Sequence, residues 1–191
     1  EPRLLRFTTG MRRQFWNKNV VAIGLAGGFL EPLESTSIYL AQTGITRLLS
    51  LFPHQAIDPV LRQRYNAETA FEYERVRDFL ILHYHATQRN DSPFWNYCRT
   101  MEIPDSLRET IKLFRTDGRY FRNGEDFFAL PSWVQVMLGQ GIMPQAYHPI
   151  VDEMPEHKLF EQVDGMRDML LHASASMPTH EQWVQRYWQA T

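Results

Sequence analysis

Two glutamates, Glu31 and Glu34, stand three residues apart beside the hydroxyl run Ser35, Thr36 and Ser37, just downstream of Gly24, Gly27 and Gly28. A carboxylate held at such a corner can orient a substrate or take a proton from it. Backbone N–H groups at a glycine-rich turn or a helix start can hold an anion or the polar edge of a flat ring. The apolar run Val20–Leu25 leads into the corner as a strand would, and open α/β sheets bind their ligands at the carboxyl ends of strands. A purely structural account covers the same residues. Glutamate in a first helical turn complements the macrodipole by about 0.3–1 kcal/mol, and serine and threonine cap the turn. Glycines also permit tight strand-to-helix packing. Four polar side chains in a row exceed what capping requires, so the corner is the candidate site, with both accounts open.

Other constellations carry less. His180-Glu181 begins a zinc-protease pattern, but the second histidine it needs would fall at Val184. His83 and His85 are two apart and point in different directions on a helix, so each reads as a core or surface histidine and no metal site is expected. Cys98 has no base beside it and reads as an inert thiol. Trp183 and Trp188 read as docking residues of a terminal helix.

The elements that must position the corner are mostly helical. Leu4–Thr9 and Val20–Leu25 read as strands, the second apolar enough for a sheet buried on both faces. From Ser37 to Phe52, the residues Ile38, Ala41, Ile45, Leu48 and Phe52 form one apolar helical stripe, ended by Pro53. A long helix is predicted over Pro59–Gln88, with Tyr65, Thr69, Tyr73, Val76, Leu80 and Tyr84 buried and Glu72, Glu74, Arg75 and Arg77 facing water. Asn90–Pro93 is turn chemistry before a short helix, Phe94–Thr100. Ser106 and Glu109 read as a capping box for a helix reaching Arg115 and closed by Gly118. Pro131 opens a further short helix that Gly139 and Gly141 interrupt. Two more helices fit Leu159–Ser174 and Thr179–Gln189, the latter with a Thr179/Gln182 capping box, and Pro149–Pro155 reads as a surface connection. The expected fold class is therefore mainly α, a helical lobe with two short strands that belong to a sheet elsewhere.

Composition narrows the class. The 191 residues are 43% hydrophobic and 13% aromatic, enough for a core. A net charge of −2 makes no electrostatic case for nucleic acid or an anionic membrane. Cys98 is the only cysteine, which excludes an internal disulfide and suits a reducing compartment. No apolar stretch reaches the roughly 18 residues of a membrane span, and no signal core follows the N-terminal charges, so a cytoplasmic protein is expected. A strand at Leu4–Thr9 without a nearby partner suggests the C-terminal part of a longer protein.

The segment from Trp16 to Pro53 closely resembles the flavin-dependent tryptophan halogenase family. Trp16-x-Lys18-Asn19-Val20, Ala22-Ile23-Gly24-Leu25 and Gly28-Phe29-Leu30-Glu31-Pro32-Leu33-Glu34-Ser35-Thr36 match in order and spacing. So do His83-Tyr84 and Arg89-Asn90-Asp91-Ser92-Pro93-Phe94-Trp95, and the likeness fades after about residue 120.

This resemblance implies an enzyme that uses FAD, supplied reduced as FADH2 by a flavin reductase, with oxygen and chloride or bromide to halogenate an aromatic ring. Glu34 takes the position of the catalytic glutamate. Backbone amides at Thr36 and Ser37 take that of the halide site, and Leu25 and Ile38, with Gly27 and Gly28, that of the flavin wall. The family's usual motif carries glycine where Ser37 stands, a change a backbone contact survives if the local φ is negative. The dinucleotide-binding glycines and the catalytic lysine belong to the family's N-terminal part. Residues 1–53 are thus expected to be the C-terminal edge of a FAD-binding domain of monooxygenase-like α/β fold that lies upstream. Residues 54–191 would form a helical substrate-binding lobe, and without that upstream part the 191 residues are expected to be inactive alone. Phe127 and Phe128 fall where the family's substrate-stacking pair does, while Arg115–Phe121 lacks its paired tyrosines. The implied substrate is an indole or tryptophan-like aromatic, with free tryptophan open. A related flavin monooxygenase and a non-catalytic helical interaction module are the competing readings. Aromatics expected on the surface of the long helix raise the possibility of a homodimer.

Overall fold

Helix α2 (Pro59–His85) is the spine of the chain. The Asp58 carboxylate accepts a hydrogen bond from the Val60 amide at 2.8 Å, and Pro59 fills the first helical position, where no N–H is needed. Twenty-seven residues without a break carry the helix about 40 Å. The structure is a computed structural model that describes residues 4, 8–122, 124 and 126–188. It divides into two compact units, residues 1–147 and 148–191.

In the first unit, α1 (Ser37–Ser50), α3 (Pro93–Thr100), α4 (Asp105–Asp117) and α5 (Leu130–Gly139) all pack on α2. The expected stripe of α2 is buried at Tyr65, Thr69, Tyr73, Val76 and Leu80, with Tyr84 half-buried. The expected wet face is not wet: Glu72 and Arg75 are buried, and Asp78 is fully so. Each of these charges has a partner. Glu72 Oε2 accepts from Arg47 at 3.2 Å and from the Thr43 hydroxyl at 2.9 Å. Asp78 accepts from Arg77, from Ser106 at 2.6 Å and from Arg75. Buried charge is tolerated only when paired, and here helices cover α2 on the polar side as well.

The Arg47 network explains a second difference. Arg47 also donates to Thr69 at 2.9 Å and Glu68 at 3.2 Å, and the Tyr65 hydroxyl donates to the Gly44 carbonyl at 3.1 Å. The face of α1 that meets α2 is therefore Leu40, Gly44 and Arg47. The apolar stripe of α1 predicted to be buried is divided: Ile38, Ile45 and Phe52 are exposed, while Ala41 and Leu48 are half-buried, Leu48 against the core. The capping box expected at Ser106 and Glu109 does not form. Asp105 begins α4 after Pro104, and the Ser106 hydroxyl is spent on Asp78. Gly118 does close that helix, in the left-handed region at φ 73°.

Two antiparallel pairs precede the helices: β1 (Gly10–Met11) with β4 (Gly28–Phe29), and β2 (Trp16–Asn17) with β3 (Val20–Val21). Of the strand expected at Leu4–Thr9, residues 5–7 lie outside the described residues, and Leu4, Thr8 and Thr9 are in no strand. The one expected over Val20–Leu25 pairs only at its first two residues, then gives way to a 3₁₀ turn at Gly24–Ala26; Val20 and Leu25 are exposed rather than buried in a sheet. Asn66 of α2 binds the hairpin as a neighbouring strand would. Its Oδ1 accepts from the amides of Phe15 and Trp16, both at 2.7 Å, and its Nδ2 donates to the Trp16 carbonyl at 2.9 Å.

The second unit holds a 3₁₀ turn, Pro149–Glu153, then α6 (Glu156–Ser176) and α7 (His180–Tyr187). The Thr179/Gln182 capping box is present, with bonds of 2.9 and 3.2 Å. Neither helix has a buried residue. Among the described residues no helix is long and apolar enough to cross a membrane.

Candidate active site

The corner is folded by its own backbone. Gly24 takes φ 60°, the Gly27 amide returns to the Gly24 carbonyl at 2.9 Å, and the Arg12 amide donates to the Gly27 carbonyl at 2.8 Å. Pro32–Ser35 then forms a turn closed by the Ser35 amide on the Pro32 carbonyl at 3.0 Å. Ser35 sits at φ 54°, a left-handed conformation rare for a residue with a Cβ. That turn directs Glu34 to one side and Thr36 into the protein, where it is 2% exposed. Thr36 caps α1 without a side-chain hydrogen bond, so its first-turn amides are not masked by the capping hydroxyl. Ser37 is not among the residues with positive φ, which meets the condition for serine to stand where the family carries glycine.

Glu34 has a partner that sequence reasoning set aside. Its Oε1 lies 3.2 Å from His83 Nε2, with the carboxylate side chain about one-third exposed and the imidazole mostly buried. His83 Nδ1 is 2.8 Å from the Phe79 carbonyl, and the Phe79 and His83 rings meet edge to face at 4.7 Å. Phe79 in turn stacks on Phe128 at 3.9 Å and meets the edge of Trp133 at 4.9 Å. The His83-Tyr84 pair within a matched motif was the available signal, but its spacing from Glu34 in sequence gives no hint of the contact. His85 points elsewhere, its Nδ1 3.3 Å from the Cys98 carbonyl.

The remaining expected site residues fall into two groups. Leu25 and Ile38 are about three-quarters exposed and hold bare apolar side chains at the corner. Ser37 is exposed beside them. Gly27 and Gly28 are filled from within the fold. A Cβ on Gly27 would meet Phe15 at 3.1 Å, and one on Gly28 would meet Tyr73 at 2.7 Å and the Gly10 carbonyl at 2.9 Å. Phe128 is buried, whereas Phe127 is 41% exposed and stacks on Tyr39 at 3.8 Å. Glu31 faces inward: its Oε2 is buried without a hydrogen-bond partner. Burial first, and then a hydrogen bond to Glu31, push the Tyr84 hydroxyl above its ordinary value. A cleft of about 660 Å³ runs along α1 and α2, lined by Tyr39, Arg47, Phe71 and Glu72 among others; Glu34 and Thr36 are not in its lining.

The corner therefore joins a fixed carboxylate, a helix start with no side-chain cap and an uncovered apolar edge. Such a site can hold an anion near a base and receive a flat apolar group.

The tryptophan halogenase family profile matches residues 1–156. The tryptophan 7-halogenase KtzQ of Kutzneria sp. (strain 744) is 30% identical over 98% of this chain and 38% of its own length. The tryptophan 6-halogenase ThaL of Streptomyces albogriseolus is 31% identical over 90% of this chain and 36% of its own. Among solved structures, a flavin-dependent halogenase from Xanthomonas campestris superimposes with a TM-score of 0.94 at 51% identity, covering all of this chain and 38% of that one. BrvH, a flavin-dependent halogenase from Brevundimonas sp. BAL3, gives a TM-score of 0.90 at 43% identity over 97% of this chain and 38% of its own. The chain thus spans somewhat over a third of the length of the relatives it matches.

Proposed function

We propose, from the premise that this chain belongs to the tryptophan halogenase family, that it forms the halide and substrate side of a flavin-dependent halogenase acting on an indole or tryptophan-like aromatic. The observation that carries this is the corner itself: Glu34 anchored by His83, next to the start of α1, where no side chain caps the helix. On this reading residues 1–53 close one edge of a FAD-binding domain, and residues 54–191 form the substrate lobe.

The residues present fit the cofactor. Leu25 and Ile38 supply an uncovered apolar edge suited to a flat ring system, and Gly27 and Gly28 keep the backbone beneath it close-packed. When bound and reduced, FAD together with oxygen supplies the oxidising equivalents that turn chloride or bromide into an electrophilic halogen species. The backbone amides at Thr36 and Ser37 hold the halide. Glu34, through the oxygen not engaged by His83, takes the proton from the ring carbon that has gained halogen, and the C–H electron pair restores the aromatic ring. Phe127, exposed on one face, stacks on the substrate. A flavin reductase supplies FADH2, and the protein works in the cytoplasm. The shortened segment Arg115–Phe121, without paired tyrosines, favours an indole over a zwitterionic amino acid.

The test uses the complete enzyme with FAD, a flavin reductase, bromide and indole. Brominated indole is expected, and Glu34→Gln should lower its rate about 100-fold, in the range typical of general-base removal. Unchanged turnover in Glu34→Gln removes the assigned role. A hydroxylated product formed without halide would make the protein a monooxygenase instead.

A further inference from the structure

We infer that His83 is a positioning residue for Glu34, fixing which carboxylate oxygen faces the substrate; this rests on the halogenase reading above.

Glu34 needs such a residue. It lies on a short turn between Pro32 and Ser35, its side chain is 38% exposed, and it belongs to no helix or strand that would hold its rotamer. The imidazole it meets is the opposite case. His83 belongs to the spine helix and is mostly buried. Its ring is clamped edge-on against Phe79, which is itself held by Phe128 and Trp133. A ring packed this way keeps its orientation, and so does the carboxylate bonded to it.

Donor counting assigns the hydrogens. Nδ1 faces the Phe79 carbonyl at 2.8 Å, a group that can only accept, so Nδ1 carries a hydrogen. Nε2 faces Glu34 Oε1 at 3.2 Å, and a bond there requires one hydrogen between the two atoms. To act as a base Glu34 must be the carboxylate, so in that state the hydrogen sits on Nε2 and Oε1 accepts it. Oε2 is then the oxygen open to the ring proton. Because Nδ1 is engaged by a backbone carbonyl, the pair has no onward route through His83. The imidazole orients the base and does not relay its proton away.

Two kinds of measurement test this. In the purified protein without cofactor, nitrogen-15 shifts of the His83 ring should report a hydrogen-bonded Nε2 in the wild type, and Glu34→Gln should move that shift while leaving Nδ1 nearly unchanged. In the complete enzyme with bromide and indole, His83→Leu should lower kcat at least tenfold, with KM for indole and bromide within about threefold. Bromide oxidation, followed with an added hypobromite scavenger, should continue at the wild-type rate. His83→Gln, whose amide N–H can reach the same oxygen, should restore kcat to within about threefold. If His83 acts through Glu34, the double variant His83→Leu/Glu34→Gln is no slower than Glu34→Gln alone. Thermal unfolding of each variant separates a folding defect from a positioning one. Wild-type kcat in a folded His83→Leu variant, multiplicative losses in the double variant, or a Nε2 shift indifferent to Glu34 would each overturn the inference while leaving halogenation intact. A wild-type enzyme that makes no halogenated product sinks the functional reading instead, and the ring shifts still decide whether the pairing exists.

Discussion

Phe127 lies on Tyr39 with ring centroids 3.8 Å apart and planes 29° from parallel. Tyr39 is three residues beyond Thr36, so this contact ties the aromatic loop after α4 to the first turn of α1. The ring expected to grip a substrate already has one face covered by the protein, and only its outer face is available. Its neighbour Phe128 is spent differently, stacked on Phe79 and 9% exposed.

The two phenylalanines should therefore separate on substitution. Phe127→Ala removes one stack and is expected to raise KM for an indole substrate about 3- to 10-fold, with kcat nearly unchanged. Phe128→Ala opens a cavity in the core, at a cost of about 3–5 kcal/mol. That should appear as a melting temperature lowered by roughly 10 °C. Steady-state kinetics and a thermal melt on the same two preparations decide it. A larger KM effect from Phe128 than from Phe127 would reverse the roles.

The α1–α2 seam makes a second prediction. Arg47 and Glu72 are both mostly buried, and each is satisfied by the other and by threonine hydroxyls. Glu72→Ala leaves a buried guanidinium with the partly exposed Glu68 as its one remaining carboxylate partner, and should cost about 3–5 kcal/mol. Replacing both together, as Arg47→Met/Glu72→Leu, should recover most of that loss, because the desolvation of both charges disappears with them. Urea unfolding of the two variants beside the wild type reads the difference directly.

How far the sequence revealed this arrangement depends on which residues carried the pattern. The spine helix was legible because Asp58, Pro59 and the spacing of Tyr65, Thr69, Tyr73 and Val76 all agree. The face of α1 was not. Its apolar stripe suggested burial, but Gly44 takes the Tyr65 hydroxyl of α2 on its carbonyl, and Arg47 reaches three acceptors there. A charged network outweighed periodicity, and pattern reasoning assigns no value to such a network. Glu72 and Arg75 were misplaced for the same reason. The sharp turn at the corner was legible through Gly24, Gly27 and Pro32. His83 was not, since its partner lies 49 positions away in sequence, a pairing only the fold creates.

Gly28 and Gly24 test two different uses of glycine. A Cβ on Gly28 would sit 2.7 Å from a Tyr73 ring carbon and 2.9 Å from the Gly10 carbonyl, so Gly28→Ala must push the β1–β4 pair off α2. The cost should be about 1–3 kcal/mol, as in other overpacked cores. A Cβ on Gly24 has room, with Ala41 at 3.8 Å, but the backbone there is left-handed at φ 60°. Gly24→Ala should cost about 1–2 kcal/mol from the dihedral alone. Gly24→Asn should recover part of that, since asparagine tolerates this region, whereas Gly28→Asn should be worse than Gly28→Ala. Equal responses of the two sites to asparagine would show that space and dihedral had been assigned wrongly.

Alkaline pH should loosen the first unit through its buried phenols. Burial is the main cause that pushes Tyr65, Tyr73 and Tyr120 above the ordinary tyrosine value, and for Tyr120 the adjacent Asp126 carboxylate adds to it. The Tyr120 hydroxyl also donates to Asp126 at 2.9 Å, a bond that needs the proton in place. The folded chain thus keeps protons that the unfolded chain releases near pH 10. A raised acid of this kind leaves stability intact below the unfolded value, and stability falls as pH climbs from there towards the folded value. Each retained proton steepens that fall by about 1.4 kcal/mol per pH unit. Tyrosinate absorbance should then show the exposed phenols ionising near pH 10, and the buried ones only together with the loss of helical circular dichroism. Tyr120→Phe should start less stable at neutral pH, having lost its bond to Asp126, yet lose stability more gently above pH 10. If all the phenols ionise in one non-cooperative step while the helices persist, the protons were never withheld by the fold.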